Sequence, residues 1–172
     1  MRVDSQGFST GVQQQLVQQL ATLCIDQRQV VATAESCTGG LVAAAMTNLA
    51  GSSEWFDCGF VTYSNNAKQQ LLGVQLATLE ECGAVSDATV AEMARGAISR
   101  SSATHACAVS GVAGPGGGTE EKPVGTVWIA WAGPAGVSQR RFLFPGDRAE
   151  IRERTVEEAL KGLISRISSA AD

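Results

Sequence analysis

The chain has 172 residues, 44% of them hydrophobic and 17% charged, which is the composition of a globular domain and not of a disordered segment. The net charge of −4 argues against a general nucleic-acid or membrane-surface binder, because such proteins need basic surface to neutralise phosphates. Five cysteines without CxxC spacing indicate reduced thiols and no zinc site. With glutamines where a secretory signal would have an apolar run, we expect a cytoplasmic protein outside the membrane.

Hydrophobic periodicity predicts alternating helices and strands, followed by a hairpin and a closing helix. In chain order the predicted elements are a helix at about 12–28, a strand at 30–33, a helix at 41–49, a strand at 59–64, helices at 65–72, 76–82 and from 86, a strand at 106–110, strands at 125–132 and 137–144, and a helix from 147. Thr38 and Asn65 are the predicted N-caps of the second and third helices. Alternation of this kind builds a mixed, mostly parallel sheet with helices on both faces, in one domain with a core at about 10–165.

Three predicted strand ends carry polar or glycine-rich sequence. They are residues 35–40, 62–68 and 110–118. Because ligands in open α/β sheets bind beyond the carboxyl ends of the parallel strands, we expect these segments to meet at one edge.

Ser36 is the candidate nucleophile, because it lies at a strand-to-helix turn that exposes its hydroxyl. The amides of Thr38, Gly39 and Gly40 would be placed to stabilise an oxyanion. A capped turn whose small residues only let the helix pack would have the same sequence. Cys37 is the rival nucleophile, since a helix N-terminus lowers the pKa of a thiol. Adjacent residues on a turn point in different directions, so both should not face the crevice.

A serine nucleophile needs a base. The only histidine, His105, precedes a strand at the end opposite the crevice, which makes a histidine-based triad a poor fit. Lys68 is the better candidate, because the start of a helix and partial burial would both lower its pKa. Tyr63, the only tyrosine, could relay a proton, stack on an aromatic ring or simply pack.

Anion-binding groups are predicted in two places. The glycine-rich segment offers backbone amides, with Gly111, Gly114 and Gly117 as candidate substrate-binding positions. Arg148, at the start of the last helix, is the candidate phosphate-binding arginine. Arg140 and Arg141 are more consistent with a solvent-facing strand. We expect neither a metal nor a cofactor, because no cluster of ligating residues has suitable spacing.

Several motifs together resemble the CinA C-terminal domain family. They are AESCTGG at 34–40, AGSSEWF at 50–56, GFVTYSN at 59–65, SGVAGPGGG at 110–118 and KPVGTV at 122–127. The resemblance spans about residues 10–165 and implies a three-layer α/β/α fold. Stand-alone members of this family are nicotinamide-nucleotide amidases, so it also implies hydrolysis of nicotinamide mononucleotide to nicotinic acid mononucleotide and ammonia.

By position, the resemblance implies that Ser36 is the nucleophile and that Lys68 and Tyr63 handle the proton. It implies active-site hydroxyls at Ser53 and Ser110, the latter often threonine in the family. It also implies a substrate-binding role for Arg148. We expect a homo-oligomer that takes a phosphorylated pyridine nucleotide. Two alternatives stay open: a non-catalytic pyridine-nucleotide-binding regulatory module, and an amidase whose substrate lacks the phosphate.

Overall fold

A computed structural model describes residues 11–169 of the chain. Its elements are α1 (Gly11–Gln27), β1 (Val31–Glu35), α2 (Leu41–Thr47), a 3₁₀ turn (Ser52–Glu54), β2 (Phe56–Val61), α3 (Asn65–Leu72), α4 (Leu76–Cys82), α5 (Asp87–Ser99), β3 (His105–Gly111), β4 (Thr126–Gly133), β5 (Gly136–Leu143) and α6 (Arg148–Ser168). Within this range no helix combines the length and apolar character needed to cross a bilayer.

The five strands form one sheet in the order β2-β1-β3-β4-β5. β1 pairs in parallel with β2 and β3, whereas β4 is antiparallel to both β3 and β5. The predicted mixed, mostly parallel sheet is therefore confirmed. From β1 the chain crosses to β2 on one side and returns to β3 on the other. This reversal makes the carboxyl end of β1 the topological switch point, where open α/β sheets bind ligands.

Helices cover both faces of the sheet, so the predicted three layers are confirmed. α1, α2 and α6 pack on one face, and α3, α4 and α5 pack on the other. β1 is buried along its whole length, and its side chains alternate between the faces. Ala32 and Ala34 belong to the core under α5. Glu35 points the other way, toward α2.

A glycine brings α3 close to α5. A Cβ at Gly96 of α5 would lie 2.0 Å from the carbonyl oxygen of Leu72 in α3, so no larger residue fits this contact. The close approach fixes α3, which carries Lys68, beside the carboxyl edge of the sheet.

The boundaries of β2 and the cap of α3 differ from the prediction. β2 begins at Phe56, three residues before the predicted start, because an edge strand tolerates a solvent-facing Asp57. It ends at Val61, since Ser64 already caps α3 by accepting a hydrogen bond from the Ala67 amide. The predicted cap, Asn65, is instead the first helical residue.

Candidate active site

The register of the parallel strands brings the predicted strand ends together. Glu35 is level with Val61 of β2 and with Val109 of β3. The residues that follow these positions therefore lie at one edge, as expected. The Ser36 amide extends the pairing by donating to the carbonyl of Val109.

Ser36 and Lys68 contact each other at this edge. Lys68 Nζ lies 3.0 Å from Ser36 Oγ, although the two residues are 32 positions apart in the sequence. Lys68 is 1% exposed and Ser36 is 9% exposed. The serine is therefore within reach of a ligand, whereas the amine behind it is shielded from bulk water.

The surroundings of Lys68 favour a neutral amine. No carboxylate within residues 11–169 forms an ion pair with it, and its other neighbours are the carbonyls of Thr62 at 2.7 Å and Tyr63 at 3.4 Å. Burial lowers the pKa of Lys68 below its usual range, because a charged ammonium loses its hydration there. Two carbonyls can take two N–H groups of a neutral amine, which leaves its lone pair for the Ser36 hydroxyl.

Cys37 faces the opposite side of the sheet from Ser36. It is buried in the apolar core that α1, α2 and α6 form. Burial raises the pKa of its thiol to about 12, with a smaller contribution from the Glu35 carboxylate. The thiol is therefore protonated at neutral pH, and the geometry favours serine over cysteine as the nucleophile.

Glu35 holds the turn that carries Ser36, a role that the sequence analysis missed. Its buried carboxylate accepts hydrogen bonds from the amides of Gly40 (2.9 Å), Val42 (3.1 Å) and Ala43 (2.8 Å). The hydroxyls of Thr33 (3.2 Å) and Thr38 (2.7 Å) complete the set. This carboxylate occupies the amide donors at the start of α2 that a helix cap would otherwise satisfy.

This arrangement corrects two predictions about the start of α2. Thr38 is not the N-cap: its hydroxyl binds Glu35, and Gly40 holds the cap position with a φ of 101° that suits only glycine. Of the three predicted oxyanion amides, Gly40 donates to Glu35 and Gly39 donates to the Ser36 carbonyl. Only the Thr38 amide has no acceptor within residues 11–169.

Replacing Glu35 with glutamine should lower the free energy of unfolding by about 1.5–3 kcal/mol. The amides and hydroxyls that donate to the two carboxylate oxygens of Glu35 would find only one accepting oxygen on the glutamine side chain. Urea denaturation of the variant would measure this loss. Glu54→Gln, on the exposed 3₁₀ turn, is the matched control and should change stability by less than about 0.5 kcal/mol. Equal stability of the two variants would contradict the anchoring role of Glu35.

Tyr63 and Arg148 connect the Ser36–Lys68 pair to a cleft between the glycine-rich segment and the start of α6. Arg148 donates to the Gly114 carbonyl at 2.8 Å and to the Tyr63 hydroxyl at 3.2 Å. The contact of Tyr63 with Lys68 is made by its backbone carbonyl and not by its hydroxyl. The Tyr63 side chain is otherwise 63% exposed, which leaves its ring open to a ligand.

Arg152 is the second residue that the sequence analysis missed. It lies one turn after Arg148 on α6, lines the same cleft, and donates to the Thr38 carbonyl at 2.8 Å. Its spacing relative to Arg148 was the available signal, because residues i and i+4 share one face of a helix. The cleft has a volume of about 640 Å³, within the roughly 300–1,000 Å³ typical of small-molecule sites.

The two predicted serine positions have different outcomes. Ser110 is buried near the carboxyl end of β3, where its hydroxyl donates to the Ala84 carbonyl at 2.7 Å. Ser53 is in the 3₁₀ turn before β2. Two residues later, the carbonyl of Trp55 accepts a hydrogen bond from the amide of Val31, the first residue of β1. The structure therefore places Ser53 at the sheet edge opposite Ser36, and does not bring the two together.

The remaining predicted residues lie around the site or away from it. Gly111 pairs with Val127 at the end of β3, and Gly117 is exposed in the glycine-rich segment. His105 is buried at the amino end of β3, away from the crevice as predicted. On β5, Arg140 lies over the Phe142 ring and Arg141 donates to the Glu121 carbonyl, and both arginines are exposed.

Comparison with known proteins agrees with this architecture. Residues 13–167 match the model of the CinA C-terminal domain family. The nicotinamide-nucleotide amidohydrolase PncC of Escherichia coli (strain K12) is 51% identical over 150 residues, which cover 87% of this chain and 91% of that protein. PncC of Pseudomonas putida is 53% identical over 134 residues, covering 78% and 84%. The crystal structure of competence/damage inducible protein CihA from Agrobacterium tumefaciens has a TM-score of 0.89 and 47% identity, covering 91% and 96%. The chain belongs to the CinA C-terminal domain family.

Proposed function

We propose that the chain hydrolyses the carboxamide of nicotinamide mononucleotide to give nicotinic acid mononucleotide and ammonia, with Ser36 as nucleophile and Lys68 as base. The names of the PncC relatives support the substrate. The observation that carries the mechanism is the 3.0 Å contact between Lys68 Nζ and Ser36 Oγ at the switch point of the sheet.

The reaction has two halves. Ser36 Oγ attacks the carboxamide carbon while its proton moves to Lys68, and the resulting ammonium returns that proton to the leaving nitrogen, which departs as ammonia. Water then hydrolyses the Ser36 ester, with Lys68 again as the base. Nicotinic acid mononucleotide leaves and the serine is restored.

Lys68 is suited to both halves. While neutral, it can accept the Ser36 proton, and the burial that lowers its pKa increases the fraction of neutral amine at a given pH. Once charged, its ammonium has the Thr62 and Tyr63 carbonyls as acceptors. The positive pyridinium of the substrate would also disfavour a second cation in the resting site.

The other roles follow from the contacts described above. We assign the oxyanion to the Thr38 amide, since the amides of Gly39 and Gly40 are already engaged. Tyr63 is assigned to stacking on the pyridine ring, because its ring is exposed while its hydroxyl binds Arg148. Its part in proton transfer stays a prediction, as do the substrate-binding roles of Ser53, Ser110 and the glycines.

An assay of ammonia release from nicotinamide mononucleotide tests the activity. We expect steady turnover by the purified protein without added metal or cofactor. If the protein binds the mononucleotide but releases no ammonia from it, the chain is a binding module and the proposal fails.

A homo-oligomer, a cytoplasmic location and one domain over residues 1–172 stay predictions.

Nicotinamide riboside, which lacks the phosphate, should be a poor substrate. We expect its kcat/KM to be about 10²- to 10³-fold below that of the mononucleotide, because Arg148 would lose a charge-assisted partner. Parallel ammonia assays on the two compounds measure the ratio. Equal kcat/KM values would identify an amidase that does not require the phosphate.

A further inference from the structure

Two arginines line the cleft between the glycine-rich segment and the start of α6, and one of them, Arg152, reaches the Ser36 turn through the Thr38 carbonyl. Arg148 and Arg152 both line it, and neither forms an ion pair with any residue in the range 11–169. Among the residues lining the cleft, Asp147 is acidic, and its Oδ1 accepts hydrogen bonds from the amides of Ala149 and Glu150 in the α6 cap. Two unpaired cations one helical turn apart repel each other, so an anion between them would stabilise this arrangement.

The Arg152 guanidinium has N–H groups that donate to no acceptor among residues 11–169. Its Nη2 is used by the Thr38 carbonyl, whereas its Nε is buried and has no acceptor among residues 11–169. Its Nη1 has no acceptor in this part of the chain either. A buried N–H without a partner costs about 1–3 kcal/mol, and a planar guanidinium can grip a phosphate through two parallel hydrogen bonds.

Arg152 and Arg148 differ in what they hold inside the protein. Arg152 binds the Thr38 carbonyl, two residues from Ser36 in the turn that carries the nucleophile. Arg148 binds Gly114 and the Tyr63 hydroxyl, and neither of these belongs to that turn. An anion on Arg152 would therefore act on the position of Ser36, whereas one on Arg148 would not.

We propose that Arg152 joins Arg148, which is already assigned to the phosphate monoester of the substrate, and that Arg152 couples phosphate binding to the Ser36 turn through the Thr38 carbonyl. This inference rests on the proposed function and adds a positioning residue to it. Bound phosphate would fix the Arg152 guanidinium, which in turn holds the Ser36 turn in place. Part of the binding energy of the phosphate would therefore raise kcat and not only lower KM.

Kinetics of four variants on nicotinamide mononucleotide and on its riboside test the coupling. Arg152→Gln should lower kcat on the mononucleotide about 10- to 100-fold, and the ratio of mononucleotide kcat to riboside kcat should fall at least about tenfold. Arg152→Lys keeps the charge but cannot hold phosphate and carbonyl together, so its ratio should fall as well. Arg148→Gln should mainly raise KM. Arg154→Gln, an exposed arginine on the same helix, is the control and should match the wild type.

Calorimetric titration with nicotinic acid mononucleotide and with inorganic phosphate separates this inference from the proposed function. Weaker binding of the mononucleotide by Arg148→Gln and Arg152→Gln, but not by Arg154→Gln, supports the anion site even if the wild type releases no ammonia. Wild-type affinity in both variants, together with an unchanged kcat ratio, would overturn the anion site while leaving the activity intact. Thermal unfolding of each variant checks the fold, and Arg152→Lys replaces Arg152→Gln if the latter unfolds.

Discussion

Ser36→Ala should reduce ammonia release from nicotinamide mononucleotide by roughly 10⁴- to 10⁶-fold, the range found when an enzyme loses its covalent nucleophile. The reason is that the Ser36 hydroxyl contacts Lys68, whereas the neighbouring Cys37 thiol is buried in the core that α1, α2 and α6 form and is protonated at neutral pH. Binding of the nucleotide should persist, because the arginines of the cleft are untouched. Ammonia assays and calorimetry on the same preparation measure both quantities.

Cys37→Ala is the matched control for this experiment. It removes the rival nucleophile and should keep activity within a few-fold of the wild type, with a loss of stability of about 1 kcal/mol from the small cavity. Full activity in Ser36→Ala together with loss of activity in Cys37→Ala would assign the nucleophile to the thiol instead.

Lys68→Met should lower kcat/KM by about 10²- to 10⁴-fold, because methionine fills the buried space of the lysine but cannot accept the Ser36 proton. In the wild type, kcat/KM should rise with pH as Lys68 loses its proton. The inflection should lie below 10.5, since burial lowers the pKa of this amine. A rising limb of the same shape in Lys68→Met would show that another group acts as the base.

Lys68 supports activity, but its buried charged form should lower the stability of the protein. The pKa of Lys68 is lower in the folded state than the value of 10.5 expected when it is exposed, so the unfolded chain binds more protons between these two pKa values. The wild type should therefore gain stability as pH rises through that window. Below the folded pKa the penalty is fully present, and Lys68→Met should be the more stable protein there. Urea denaturation at several pH values measures the difference, with Lys161→Met on the exposed face of α6 as control.

The Ser36–Lys68 pair was within reach of sequence reasoning. Parallel strands place their carboxyl ends at one edge, so two polar strand ends separated by 32 positions could be expected to meet. Their positions at a strand-to-helix turn and at a helix start made Ser36 and Lys68 the candidates, and the resemblance implied the same two residues. The prediction that Ser36 and Cys37, as neighbours in a turn, point in different directions agrees with their contacts: Ser36 contacts Lys68, and Cys37 lies in the core beside α2.

Other features of the site could not be predicted because they depend on side-chain choices in three dimensions. Thr38 has the sequence position of a helix cap, but the longer Glu35 side chain reaches the α2 amides first and Thr38 binds that carboxylate. Ser53 follows the family pattern but precedes its strand, and a residue before a parallel strand lies at the amino edge. Arg152 was overlooked since a single arginine near the start of a helix is usually solvated.

Rapid-quench mass spectrometry during turnover of nicotinamide mononucleotide tests the central claim most directly, because the proposed mechanism passes through an ester on Ser36. In the Cys37→Ala protein, the peptide containing residue 36 should carry the acyl group of nicotinic acid mononucleotide, and the adduct should be absent from Ser36→Ala. An adduct in the wild type that disappears in Cys37→Ala and persists in Ser36→Ala would contradict the account.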